Sequence, residues 1–157
     1  MESQNRAPLQ LMALLERNVG LLYSRFSTTF PEDREFWQSL AFEEERHASL
    51  VETHFENMAG SEELSNALAG MDIESIASVN KKVEGLIGAV GRIYLLRIEA
   101  LTVALQIEQA AGESHYQAAA TAGGKAVSIS VFRDLNLASK DHAKRIMEYI
   151  EKIEKRE

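Results

Sequence analysis

The chain has 157 residues, of which 45% are hydrophobic and 26% charged, and its 24 acidic against 17 basic residues give a formal net charge of −7. This acidic balance argues against a nucleic acid or an anionic membrane surface as the main partner, because both are bound chiefly through clustered Lys and Arg. The chain has no cysteine, which excludes disulfides, thiol catalysis and iron–sulfur ligation, so any metal ion must take oxygen and nitrogen ligands.

The length fits a single domain over residues 1–157, large enough to bury a hydrophobic core without covalent cross-links. The N-terminus is polar and gives no secretory signal, and no run approaches the roughly 20 apolar residues of a membrane span. We therefore expect a cytoplasmic protein with no membrane partner.

Two long helices are predicted in the first half of the chain. Pro8 suits the first turn of a helix, and an apolar stripe interrupted only by Glu16 follows it. Pro31 ends this helix, and a second one with an acidic first turn runs to about Met58. Because the join is short, the two helices are expected to be antiparallel neighbours.

The segment from residue 59 to about 92 has weaker helical signals. Ser61 caps a short helix that Gly70 closes, and a second modest helix is predicted over residues 76–89. A weak segment of this length between strong helices is typical of a crossover connection that travels the length of a bundle.

Two further long helices are predicted after the crossover. The third begins near residues 94–97, carries Glu108 in its apolar stripe and breaks at Gly123-Gly124, and the last carries His142. The whole pattern predicts an all-α fold, a four-helix bundle with a long crossover connection between its second and third helices.

Glu44 and His47 form the pattern that most directly indicates a chemistry. Positions three apart lie on the same face of a helix, and here that face is the apolar one, between Leu40 and Val51. Burying an unpaired carboxylate costs on the order of several kcal/mol. A partner, a proton or a metal ion is therefore expected beside it.

The second half of the chain repeats the plan of the first. Each half has a helix with one inward Glu, followed by a helix with an inward His. These residues are Glu16 and His47 in the first half, and Glu108 and His142 in the second. The two halves differ at Ser139, which stands three residues before His142, where the first half has Glu44 before His47.

Three carboxylates and two imidazoles would meet inside the bundle if these polar positions share one height. Such ligands suit iron or manganese, and bridging carboxylates can hold two ions side by side. Taken alone, each Glu has a simpler reading as a residue on a misjudged face or at a solvated helix end. His54 and His115 are expected to be hydrogen-bonded core histidines rather than ligands.

The order of these patterns resembles the rubrerythrin and ferritin-like diiron carboxylate family, and the resemblance covers essentially the whole chain. It is carried by the Glu16 to Tyr23 spacing, the run LAFEEERHA at 40–48, ALQIE at 104–108 and DHA at 141–143. The resemblance implies a ferritin-like four-helix bundle that binds two iron ions, with manganese or a mixed pair also open.

By this resemblance the metal ligands would be Glu16, Glu44, His47, Glu108 and His142. The family's site has six ligands, and Ser139 occupies the position of the sixth. Tyr23 would pack in the core with its hydroxyl paired to a ligand carboxylate, and a catalytic role for it is the minor alternative.

The resemblance implies a non-haem diiron oxidoreductase that reduces peroxide or dioxygen. Rubrerythrins proper also carry a cysteine-rich module that delivers electrons, so this cysteine-free chain would need an external electron donor. The alternative is a degenerate bundle with an incomplete or lost metal site that acts as a structural or partner-binding module. Leu11, Leu15 and Leu22, which are expected on an exposed helix face, predict a homodimer.

Overall fold

The computed structural model describes residues 2–58, 60–110 and 127–156, which form six α-helices and contain no β-strand. The helices are α1 (Glu2–Thr29), α2 (Arg34–Met58), α3 (Glu62–Ala69), α4 (Ile73–Ala89), α5 (Arg97–Ala110) and α6 (Val127–Glu154), and a 3-10 turn (Pro31–Asp33) joins α1 to α2. The all-α prediction is confirmed for these residues. The predicted break at Gly123-Gly124 and the predicted core histidine His115 lie outside them.

No helix within the described ranges is both long enough and apolar enough to cross a membrane.

The first helix begins earlier than its sequence predicts. Pro8 lies inside α1 rather than at its start, although proline removes one backbone hydrogen bond from a helix interior. A tertiary contact holds the extra turn: Asn5 is buried and its Nδ2 donates to Ser65 Oγ in α3 over 2.9 Å. Packing against the crossover segment therefore extends the helix past its local start signal.

α1 and α2 pack along most of their lengths as antiparallel neighbours, as the short join predicts. Their facing residues run in opposite order, with Phe26 against Trp37 at a ring-centroid distance of 4.9 Å and Gly20 against Glu44. A Cβ on Gly20 would lie 3.2 Å from both the Ala41 carbonyl oxygen and Glu44 Cβ. The absent side chain therefore lets the two backbones approach closely at the height of Glu44.

Asp33 fixes the direction of the later helices. Its buried carboxylate accepts hydrogen bonds from Arg97, at the start of α5, and from Tyr149 Oη at 2.6 Å, near the end of α6. Since Asp33 directly precedes α2, α2 and α5 start at the same end of the molecule. Further along both helices, Glu44 and Glu108 approach the same His142 nitrogen, so α2 and α5 run in parallel. The chain between them must therefore cross the length of the molecule.

The crossing segment is made by α3 and α4. Ser61 caps α3 and Gly70 ends it, as predicted, but α4 begins at Ile73 because Asp72 accepts a hydrogen bond from the Ser75 amide. α4 lies along α1.

The apolar stripes of the long helices form one buried core. Leu15 and Leu22 belong to it, with 3% and 0% of their surfaces exposed, and Leu11 packs partly buried against it. The prediction that these leucines form an exposed face is therefore wrong, because α1 is covered by α4 as well as by α2. The prediction of a homodimer therefore no longer has a supporting observation.

Replacing Asp33 by Ala is expected to lower the free energy of unfolding by about 3 kcal/mol, because it leaves the charged Arg97 and the Tyr149 hydroxyl without their shared acceptor. Urea unfolding would measure the change. Glu32→Ala is the matched control, since Glu32 is the exposed neighbour. A loss as small as that of the control would show that Asp33 does not hold the three helix ends together.

Candidate metal centre

Four helices bring the five sequence-predicted ligands together in two groups that share one residue. Within each group the candidate ligand atoms all lie within 4.8 Å of one another. The groups are Glu16, Glu44 and His47, and Glu44, Glu108 and His142. The first joins α1 to α2, and the second joins α2 to α5 and α6.

Glu44 is the shared residue, and its two carboxylate oxygens point to different groups. Oε2 lies 3.1 Å from His47 Nδ1, and Oε1 lies 2.6 Å from His142 Nδ1. The two imidazole rings are stacked at a centroid distance of 5.5 Å. Glu44 is therefore placed to bridge two ions, one beside each histidine.

The remaining two carboxylates flank the histidines. Glu16 Oε2 lies 3.5 Å from His47 Nδ1, and Glu108 Oε1 lies 3.4 Å from His142 Nδ1. Tyr23 is fully buried, and its hydroxyl donates to Glu108 Oε1 over 2.6 Å. The pairing predicted for Tyr23 is thus present, and burial followed by the charge of Glu108 raises the pKa of Tyr23 well above its ordinary value.

Protons concentrate on this cluster when no metal is bound. Burial and the nearby Glu44 raise the pKa of Glu16 to about 8. Burial favours the neutral form of both imidazoles, but the nearby carboxylates outweigh burial. Glu16 and Glu44 raise the pKa of His47 to about 10. Glu108 and Glu44 raise the pKa of His142 to about 11. At neutral pH the metal-free site therefore holds protons where a cation would otherwise bind.

Two candidate ligand atoms in the centre make no aligned hydrogen bond. Glu44 Oε1 and His142 Nδ1 lie 2.6 Å apart, but neither forms a well-aligned hydrogen bond with the other or with any further described residue. Donor atoms that converge without satisfying one another fit a bound metal ion.

Ser139 is buried on the same face of α6 as His142, one turn before it. The nearest acids along the helix do not replace the carboxylate it lacks, because Asp134 and Asp141 are both exposed. Among the described residues, Glu44 is therefore the one carboxylate that the two groups share.

Glu43 contacts His142, and the sequence pattern does not predict this contact. The alternation of the stripe predicts a solvated side chain, yet Glu43 Oε2 lies 2.9 Å from His142 Nε2 and both its oxygens lie 2.9 Å from Arg145 Nη1. Burial opposes its ionisation, but these two contacts outweigh burial and lower the pKa of Glu43. No signal within α2 alone could reveal the pairing, since it depends on the register between α2 and α6.

An open cleft of about 870 Å³ lies beside the centre, between the outer faces of α2 and α6. It is lined in part by Phe42, Leu50 and Leu135. His47 also lines it with a side chain that is 18% exposed, whereas the side chains of the other four candidate ligands are at most 7% exposed. His47 is therefore the candidate ligand that reaches the cleft.

His54 lies outside both groups, in the lining of a small apolar cavity with Val51 and Phe132. Its Nε2 is buried and has no hydrogen-bond partner among the described residues. The expectation of a hydrogen-bonded core histidine is therefore not met at that nitrogen.

Comparison of the chain with protein-family models, with curated proteins and with solved structures finds no match.

Proposed function

We propose that the chain is a non-haem dinuclear metal oxidoreductase of rubrerythrin type, built on a ferritin-like four-helix bundle. It uses two iron ions, with manganese as the alternative metal, and reduces peroxide or dioxygen. The observation that carries the proposal is the position of Glu44, which turns one carboxylate oxygen toward each of two groups that hold a Glu and a His. The parallel α2 and α5 and the crossing segment between them agree with the proposed bundle.

The ligand types suit iron or manganese. Carboxylates and imidazoles together bind divalent transition metals, including zinc, whereas Mg²⁺ and Ca²⁺ prefer oxygen ligands alone and the chain offers no thiolate for softer ions. When bound, a pair of iron ions supplies two electrons to an O–O bond.

The protein's own residues would bind the ions, shield them from bulk water and orient their carboxylate ligands. Glu16 and His47 would hold one ion, Glu108 and His142 the other, and Glu44 both. The Tyr23 hydroxyl stays protonated and donates a hydrogen bond to Glu108, which limits the orientations of that carboxylate. The buried surroundings exclude bulk water. The cleft at His47 admits a small oxidant, and an external donor can deliver electrons from the same side.

Peroxide oxidation of the iron-loaded protein tests the function. Protein loaded anaerobically with ferrous iron is expected to hold about two ions per chain and to be oxidised rapidly by added hydrogen peroxide, as followed by ultraviolet absorbance. His47→Ala should lose one ion and slow the reaction. Wild-type protein that binds no iron, or whose bound iron reacts no faster than free ferrous iron, contradicts the proposal.

A second candidate is a metal-free bundle that acts as a structural or partner-binding module. It is favoured by Ser139 and by the protons that the metal-free cluster retains on Glu16 and the two histidines. For this function Glu108→Gln is expected to destabilise the protein, because it removes one of the carboxylates that hold the protonated His142 imidazole. For the metal enzyme the same change lowers the iron content instead.

The stability of the metal-free protein is expected to fall as pH rises. The folded pKa values of Glu16, His47 and His142 exceed the ordinary values of 4.5 for Glu and 6.5 for His, so the folded state binds more protons than the unfolded one. The contribution of the histidines is complete below their unfolded pKa and is lost as pH rises toward 10 and 11, while Glu16 adds a loss between 4.5 and 8.

Urea unfolding of chelator-treated protein at about pH 6 and about pH 9 should show a decrease on the order of a few kcal/mol. Metal affinity is expected to change in the opposite direction, because the ion must displace the same protons. A metal-free stability that rises between these two pH values would contradict the assigned protonation.

A further inference from the structure

Two consecutive residues of another helix each place a carboxylate oxygen beside one nitrogen of the His142 imidazole. Glu44 Oε1 lies 2.6 Å from Nδ1, and Glu43 Oε2 lies 2.9 Å from Nε2 on the opposite edge of the ring. The ring is completely buried, while the Glu43 side chain is 34% exposed. Glu43 thus reaches from the surface of α2 to the outer edge of a candidate metal ligand.

Arg145 and Ser39 fix the Glu43 carboxylate. Arg145 Nη1 donates to both of its oxygens at 2.9 Å, and Arg145 Nη2 donates to Ser39 Oγ, also at 2.9 Å. Ser39 Oγ lies 3.3 Å from Glu43 Oε1. The carboxylate is therefore restrained by both helices and cannot swing freely into solvent.

Among the described residues, none gives the other histidine such support. The contacts of His47 with carboxylates are made through Nδ1, to Glu16 and Glu44, and no acid approaches its Nε2 within the described ranges. Ser139, which stands where a second shared carboxylate is expected, lies one turn before His142 on α6. The outer contact therefore supports the histidine of the helix that has lost a ligand.

We propose that Glu43 is a positioning residue for the His142 half of the metal centre. By accepting a hydrogen bond from Nε2–H, it fixes the tautomer in which Nδ1 carries the free lone pair and faces Glu44 and Glu108. A carboxylate on the outer nitrogen also makes the inner nitrogen a better donor. Glu43 thereby offsets part of the affinity lost at Ser139. This inference rests on the proposed function.

Anaerobic titration with cobalt(II), followed by visible absorbance and calorimetry, tests the role. Wild type is expected to bind about two ions per chain, and Glu43→Ala should weaken one of them by about 10- to 100-fold and leave the other unchanged. Glu43→Gln keeps an acceptor oxygen at Nε2, so it should recover most of the lost affinity. Glu45→Ala, the exposed neighbouring acid, should match wild type.

Arg145→Met separates positioning from simple helix pairing. It breaks the ion pair between α2 and α6 and removes one restraint on Glu43, but it leaves the Glu43 carboxylate in place to accept from His142. Its loss of cobalt affinity should therefore be clearly smaller than that of Glu43→Ala. Equal losses in Arg145→Met and Glu43→Ala would overturn the inference, as would unchanged binding in Glu43→Ala. Wild-type protein that binds no cobalt or iron would instead defeat the proposed function itself, and with it this role.

Discussion

Replacing Glu44 by Ala is expected to remove both metal ions at once, whereas Glu16→Ala or Glu108→Ala should remove one. Glu44 Oε2 faces the His47 group and Glu44 Oε1 faces the His142 group, while each of the other two glutamates belongs to a single group. Without the bridge, each ion would keep one carboxylate and one imidazole, too few protein ligands for a stable site. Metal content falling from about two ions per chain to nearly none is the expected result.

Elemental analysis of the purified variants, grown with added iron, measures this effect. Glu45→Ala is the matched control, because it removes the next acid on α2 from an exposed position. Circular dichroism and urea unfolding of each variant show whether the fold persists without the ions. One ion retained by Glu44→Ala, or equal losses in all three glutamate variants, would show that Glu44 does not bridge.

The positions of the candidate ligands could be predicted because they depend on periodicity. An acid or a histidine that interrupts an apolar stripe must face inward wherever the helix packs, and this holds for Glu16, Glu44, Glu108 and His142. The short join at Pro31 likewise determines that α1 and α2 are antiparallel. These conclusions need only the pitch of one helix and the length of one loop.

The features that the sequence did not reveal depend on contacts between helices. Glu43 is off the apolar stripe, and only the register between α2 and α6 brings it to His142. The early start of α1 depends on the contact between Asn5 and Ser65. Leu15 and Leu22 are buried because the helices around α1 cover more of it than a stripe of fixed width predicts. The periodicity of a single helix contains no information about its neighbours, so it cannot predict such contacts.

Ser139→Glu is expected to change protein stability in opposite directions with and without metal. In the metal-free protein it adds a carboxylate at a buried position one turn before His142, and an uncompensated buried charge of this kind costs about 3–5 kcal/mol. With two ions bound, the same carboxylate faces Glu44 across the centre and provides the second bridge. Its charge is then compensated, and the loaded variant should be more stable than the loaded wild type.

Thermal unfolding with and without added iron or cobalt measures both effects. Ser139→Gln is the control for side-chain volume, because it has nearly the shape of Glu without the charge and should destabilise both forms alike. Lys140→Glu places a carboxylate at an exposed neighbouring position, where it also removes a positive charge, and it should have little effect on either form. If Ser139→Glu destabilises the loaded and metal-free proteins equally, position 139 does not face the ions. A reversal of sign on metal addition would identify Ser139 as the position of a missing ligand, because only a cation at that point can turn a buried carboxylate from a cost into a gain.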